Sequence, residues 1–229
     1  LPARPQGPQP AHRRPTVLFL HGGGYTLCGL DSHDATARGL CARAGAVVVS
    51  VGYRLAPEHP FPAAVDDAYA ALLWAADHSD GPLVTAGDSS GGGLAAAVAV
   101  LARDRRGPAV ALHVLLYPLL DAAQDTASYR ENASGYYLTA VHLRWFWRQY
   151  LGDGGDPGDP RASPLRTPDP RGLPAAYVVT AGCDPLRDEG VAYARRLGAR
   201  AFRWSTGTIH GCSTGSSASP ACFRRRTTP

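Results

Sequence analysis

Gly87-Asp88-Ser89-Ser90-Gly91, with Gly92 and Gly93 behind it, follows directly on the apolar run Leu83-Val84-Thr85-Ala86. A serine set this way between glycines matches the G-x-S-x-G pattern, in which a tight strand-to-helix turn projects a hydroxyl beyond the carboxyl edge of a sheet. The small neighbours let strand and helix approach closely, and the helix N-terminus aims N–H groups at the same spot, which favours developing negative charge. An ordinary glycine-rich loop or a phosphate cradle would use similar residues, but the strand before and the helix after favour the nucleophile turn. Ser89 is therefore the candidate nucleophile.

A second glycine cluster, His21-Gly22-Gly23-Gly24, ends another apolar run, Thr16 to Leu20. Consecutive glycines can turn backbone N–H groups into a cavity without side-chain clash. Acyl transfer needs such donors at the oxyanion of its tetrahedral intermediate, each worth roughly 3–4 kcal/mol. Gly23 and Gly24 are the candidate oxyanion donors, with the N–H of Ser90 as the third. A base and an orienting acid are expected in the chain order Ser, Asp, His. Asp184, just past the run Ala176–Thr180, is the candidate acid, and His210, past a weak strand near Ala201–Trp204, the candidate base. Asp188 and Glu189 compete with Asp184, but acids there suit the first turn of the next helix. His21 belongs to the glycine loop and His59 to a proline-rich loop. His12, His33, His78, His113 and His142 precede any suitable acid, or lie on helices or strands, and read as structural.

The elements that must hold these groups alternate. Thr16–Leu20 and Ala46–Val51 read as strands buried on both faces. Helices are expected over about 32–44, from Pro62 through Ala76, and from Ser90 to about Arg103; strands over Leu83–Ala86 and Val110–Leu116. Residues 118–175 interrupt the rhythm with loops and an aromatic helix at about 139–151. Strand Ala176–Thr180 and a helix over about 188–197 resume it. Such alternation implies right-handed βαβ units and a mostly parallel central sheet with helices on both faces, an α/β class. The whole of 1–229 reads as a single domain with a cap-like insertion at 118–175.

Composition narrows the function classes. The net charge is +4, all 23 basic residues are arginine, and Ile209 is the one isoleucine, a GC-rich codon usage that suits a bacterial source. Apart from Arg224–Arg226 the arginines are dispersed, which argues against nucleic-acid binding. No run of 18 apolar residues is present, so no membrane span is expected, and the first twenty residues lack a signal-peptide core. A cytoplasmic location is the expectation. Cys28, Cys41, Cys183, Cys212 and Cys222 have no zinc spacing.

Taken together the motifs resemble the hormone-sensitive-lipase family of bacterial esterases (family IV). The chain carries its HGGG loop at His21–Gly24 and its GDSxGG turn at Gly87–Gly92. Tyr53–Ala64, Tyr117-Pro118, Asp184–Gly190 and Ile209–Gly211 are similar to further family segments. The resemblance runs from about Pro15 to Gly211. It implies an α/β-hydrolase fold, the triad Ser89, Asp184 and His210, no metal or organic cofactor, and hydrolysis of short-chain carboxylic esters as small-molecule substrates. It places Asp88 and Tyr25 beside the site.

The chain also departs from that family. HGGG begins at residue 21, where family members have a longer preceding region that supplies cap helices. A reduced cap and exposed apolar surface are therefore expected, a surface that favours a homodimer. Residues 212–229 form an atypical tail without helical periodicity. Rival functions are a deacetylase of a small acetylated metabolite, which the same triad would serve, and an inactive or purely ligand-binding homologue. The presence of His210 argues against the last.

Overall fold

The computed structural model describes residues 13–198 and the backbone of 205–209. Thirteen elements alternate along the chain: β1 (Thr16–Leu20), α1 (Leu30–Ala44), β2 (Val47–Val51), α2 (Ala63–Asp77), β3 (Leu83–Asp88), α3 (Ser90–Asp104), β4 (Val110–Leu116), α4 (Ala127–Glu131), α5 (Ala140–Leu151), a 3-10 turn at Pro164–Arg166, β5 (Ala175–Ala181), α6 (Arg187–Gly198) and β6 (Ser205–Ile209). The six strands form one sheet in the order β2-β1-β3-β4-β5-β6, and every neighbouring pair is parallel. All carboxyl ends therefore share one edge. That edge holds both glycine motifs and the start of the Asp184 segment.

Strand alternation sorts the core into two layers. On β1, Val17 and Phe19 face α1 and form a small cluster with Ala37, Ala46 and Ala86. Leu18 and Leu20 face the other way, into a large cluster with residues of α2, α3 and α6. α3 is buried from Ser90 to Ala102. Its run of Gly, Ala and Val lets the helix axis come close to the sheet, and Thr85 Oγ1 donates to the Ala95 carbonyl at 3.3 Å. This helix is the one that begins at the candidate nucleophile.

Most expected elements lie within two or three residues of those observed. Two points stand apart. The strand expected near Ala201–Trp204 lies outside the described residues, and the last described strand occupies Ser205–Ile209. Its register with β5, from Tyr177 opposite Ser205 to Ala181 opposite Ile209, fixes that position. Thr206, Thr208 and Ile209 supply the β-branched positions of β6. Residues 201–204, the tail 212–229 and the cysteines Cys212 and Cys222 lie outside the described residues. Within 118–175, α4 and the 3-10 turn were not expected, because five or three residues are too short to show a period. Leu119, Leu120, Leu138, Leu143, Trp147 and Tyr150 from this insertion join the same apolar cluster as α2 and α3. No helix among the described residues is long and apolar enough to cross a membrane.

One buried group sets an acid limit on stability. His113 of β4 is fully buried beside Tyr193, and neither ring nitrogen has a partner among the described residues. Burial pushes its pKa down to about 3, so the folded chain holds it neutral. The unfolded chain takes up a proton below about 6.5, and stability is therefore lost as pH falls through that value. At pH 5 the penalty is about 2 kcal/mol. His113→Leu, which removes the titrating ring and fills similar space, is expected to shrink the loss of unfolding free energy between pH 7 and 5 by that amount in urea titrations. An unchanged pH slope would show that other groups set the acid limit.

Candidate active site

Ser89 sits between β3 and α3 with φ 53° and ψ −121°, the strained conformation of a turn that reverses direction within one residue. Three backbone bonds hold it there. Its N–H donates to the Leu116 carbonyl at 2.8 Å, and its own carbonyl accepts from Gly93 at 3.1 Å and Leu119 at 3.0 Å. The flanking glycines are required by contact, not only by conformation. A Cβ on Gly91 would lie 2.0 Å from the Leu20 carbonyl oxygen, and one on Gly87 2.3 Å from the Gly91 carbonyl oxygen. The end of β1 and the first turn of α3 thus meet backbone to backbone.

The same approach brings the HGGG loop to Ser89. Gly23 and Gly24 both have positive φ, 124° and 60°. A Cβ on Gly23 would strike the Leu27 carbonyl, and one on Gly24 the Phe146 ring at 2.3 Å. The Gly22 N–H is committed to Asp88 Oδ1 at 3.1 Å. Among the described residues the N–H groups of Gly23, Gly24 and Ser90 have no acceptor. These are the three donors the sequence singled out, and the fold leaves them available.

Aromatic residues wedge the loop from below. Tyr53 Oη donates to the His21 carbonyl at 2.7 Å, and its ring stacks on the His21 imidazole at 4.2 Å. Burial lowers the pKa of His21, so the loop's first residue stays neutral. Tyr25, with φ 64°, is buried and stacked on Tyr150 of α5 at 3.7 Å. This stack ties the HGGG loop to the 118–175 insertion.

Asp184 lies three residues past β5 and is fully buried. Its Oδ1 accepts from the Leu186 N–H at 2.9 Å, a bond that closes the turn into α6. Helix α4 supports this turn from the side. Asn132 Nδ2 donates to the Asp184 carbonyl at 3.1 Å, and Ser128 Oγ to the Pro185 carbonyl at 2.6 Å. Neither Asn132 nor Ser128 carried a signal in the sequence, because they serve the site through polar contacts from a helix too short to recognise. His210, the residue after Ile209, lies outside the described residues. The strand that precedes it pairs with β5 and ends with Ile209 opposite Ala181, on the side of the sheet edge that holds Asp184.

The rival acids behave differently from each other. Asp188 is part-exposed, pairs with Arg187 at 2.8 Å and accepts from the Ser128 N–H at 2.8 Å, as a first-turn acid should. Glu189 also stands in the first turn of α6, but it is no solvated cap. It is fully buried and accepts from the Leu120 N–H at 2.9 Å, holding the loop after β4. Burial raises its pKa well above the usual carboxylate range.

A cleft of about 560 Å³ opens beside Gly24, lined by Leu27, Tyr137, Leu138, Val141, Trp145 and Phe146, with His142 at its rim. Leu27, Tyr137, Val141 and Trp145 are exposed. No cluster of three or more metal-binding side chains occurs among the described residues.

A parallel sheet carrying a strained serine at the start of a helix, with a glycine loop beside it, defines an α/β-hydrolase. Residues 17–213 match the family model for the α/β-hydrolase fold. The chain is 46% identical over 209 residues to the carboxylic ester hydrolase LipN of Mycobacterium tuberculosis, covering 86% of this chain and 56% of that protein. It is 43% identical over 201 residues to an ethyl acetate hydrolase of Pseudomonas putida, covering 85% and 63%. Among solved structures, an esterase of Pyrobaculum calidifontis superimposes with a TM-score of 0.85 at 44% identity, covering 91% of this chain and 71% of that one. The chain belongs to the α/β-hydrolase family, in its hormone-sensitive-lipase group. It spans 56% and 63% of the length of the two curated relatives described.

The polarity of Glu189 gives a test of the support around the site. An amide matches the carboxyl in size and keeps an oxygen that can accept a hydrogen bond there. Glu189→Gln is expected to change unfolding free energy by less than about 1 kcal/mol at pH 7, because its carbonyl can still accept from Leu120. Glu189→Ala, which leaves that N–H buried and opens a void, should cost about 2–4 kcal/mol. Equal losses in denaturant unfolding would show that accepting the Leu120 N–H is not what Glu189 contributes to the fold.

Proposed function

We propose that the chain is a serine carboxylesterase, one α/β-hydrolase domain that hydrolyses short-chain carboxylic esters through a Ser-His-Asp acyl-enzyme mechanism. The observation that carries this reading is the strained Ser89 beside three N–H groups without acceptors. A hydroxyl alone is a poor nucleophile at neutral pH and needs a base. In this reading His210 takes the Ser89 proton as the oxygen attacks the ester carbonyl. Asp184 holds the imidazole in the right tautomer and stabilises its cation. The carbonyl oxygen, now negative, is received by the N–H groups of Gly23, Gly24 and Ser90. The imidazolium then protonates the leaving alcohol, and water attacks the acyl-enzyme by the same route. The scheme uses no metal or cofactor.

The names of the relatives support an ester as substrate, ethyl acetate in one case. The apolar cleft against Phe146 supports a substrate with a modest apolar group next to the carbonyl. An acetylated amide would use the same groups, so deacetylation of a small metabolite is the second reading.

The test is hydrolysis of p-nitrophenyl esters from acetate to palmitate. Rates should be highest for the short acyl chains and fall steeply beyond them. Ser89→Ala should lower kcat by at least ~10³-fold with an unchanged melting temperature, and Asp184→Asn by about 10³–10⁴-fold. Cleavage that survives Ser89→Ala would remove this serine from the mechanism, and a chain inert to every ester but active on acetylated amines would favour the second reading.

A further inference from the structure

His33 of α1 takes no part in the scheme above, yet it reaches the same carboxylate that holds the oxyanion loop. Its Nε2 lies 3.3 Å from Asp88 Oδ1, the oxygen that accepts the Gly22 N–H. Its Nδ1 lies 2.9 Å from Ser32 Oγ. Ser32 Oγ in turn accepts from the Gly29 N–H at 2.9 Å and stands 2.8 Å from the Gly29 carbonyl, to which it can give its single proton. With that proton so placed, Nδ1 must donate to Ser32. Nε2, facing a carboxylate, must donate as well. Both ring nitrogens act as donors only in the imidazolium.

We propose that His33 is a positioning residue: as a cation it neutralises and orients Asp88, which fixes the Gly22 N–H and with it the Gly23 and Gly24 donors. The inference rests on the assignment of those donors to the oxyanion. Its physical content is electrostatic. Asp88 immediately precedes Ser89, where negative charge develops during the reaction, and an unmatched carboxylate there would oppose that charge. Paired with a cation it becomes a neutral strut. The groups facing His33 are Asp88 from the end of β3 and His21 from the glycine loop, whose ring centroid is 5.6 Å away, with Tyr53 behind His21. Strand β2, against which α1 packs, carries no titratable side chain. On its own helix Asp31 and Asp34 flank it in sequence, and Asp34 pairs with Arg38. The hydrogen bond to Asp88 raises the pKa of His33, while burial lowers that of His21.

Two measurements on the whole chain test this. In the first, the amide resonance of Gly22 is followed by ¹⁵N NMR from pH 5 to 9. It should titrate with a midpoint above 6.5 and lose that titration in His33→Gln, whose amide can still donate to Asp88. A Gly22 titration unchanged by His33→Gln, or no titration at all, would overturn the proposal. In the second, p-nitrophenyl acetate hydrolysis is measured for His33→Ala, His33→Gln, Asp88→Asn and the His33→Ala/Asp88→Asn pair. His33→Ala should lower kcat by about 10–100-fold with KM within about threefold, and His33→Gln should recover part of the loss. On the Asp88→Asn background His33→Ala should add less than about twofold, because the two act as one unit. Full multiplication of the two losses, or a kcat indifferent to His33→Ala, would overturn it too. Should His33→Ala fail to fold, the Gln variant and the native titration still decide. An unmutated chain inert to esters would overturn the esterase reading, while the Gly22 titration would judge His33 separately.

Discussion

Everything at the site depends on two backbone segments lying closer together than side chains permit. The carbonyls of Leu20 and His21 at the end of β1 press against Gly91 in the first turn of α3, where a Cβ would lie 2.0 and 2.5 Å from their oxygens. That approach brings the HGGG loop to Ser89 and fixes the distance between the serine and the Gly23 and Gly24 N–H groups. It is possible only because β1 and β3 are neighbours in the sheet and because α3 is built from Gly, Ala and Val. In the proposed mechanism these N–H groups would need no further rearrangement as charge develops, since the sheet has already oriented them.

The site is braced by polar groups taken out of water, each with a partner. Tyr53 holds the His21 carbonyl, Asp88 the Gly22 N–H, Glu189 the Leu120 N–H, and Asn132 the Asp184 carbonyl. Each bond is modest, about 1 kcal/mol, but leaving one buried partner unpaired costs more than the bond itself contributes. Such a network resists partial change. It also explains why two adjacent acids, Asp188 and Glu189, have such different surroundings: one faces out along α6 and pairs with Arg187, while the other turns in beneath the loop after β4.

What could be read from the sequence followed from how strongly each feature signals locally. Buried parallel strands are continuous apolar runs, so β1, β3, β4 and β5 were legible, as were the glycine motifs, whose residues serve no ordinary purpose at a strand end. β2 was legible as a strand from its β-branched run, but it is an edge strand with Val47 exposed and not buried on both faces. The position of β6 was not legible because it is set by pairing with β5, not by its own apolarity. α4 was invisible at five residues, and with it Asn132 and Ser128. His33 was read as structural because a histidine on a helix has no local mark of its partner. Asp88, more than fifty residues later, supplies the meaning.

The cleft beside Gly24 links these features to the insertion. Phe146 and Trp145 on α5 form one wall, and Tyr150, one turn further along, stacks on Tyr25 in the oxyanion loop. The helix that shapes the place for a substrate's apolar part therefore also supports the loop that would receive its carbonyl oxygen. A change in the packing of α5 cannot reshape the cleft without pressing on Tyr25, whose backbone holds a positive φ next to Gly24. In the proposed esterase the apolar cleft and the HGGG loop are thus mechanically coupled through one aromatic stack. Val141, exposed on the cleft side of α5 and away from that stack, is the position where a substitution alters the cleft alone, whereas Trp145 packs on Phe146 and so reaches Gly24.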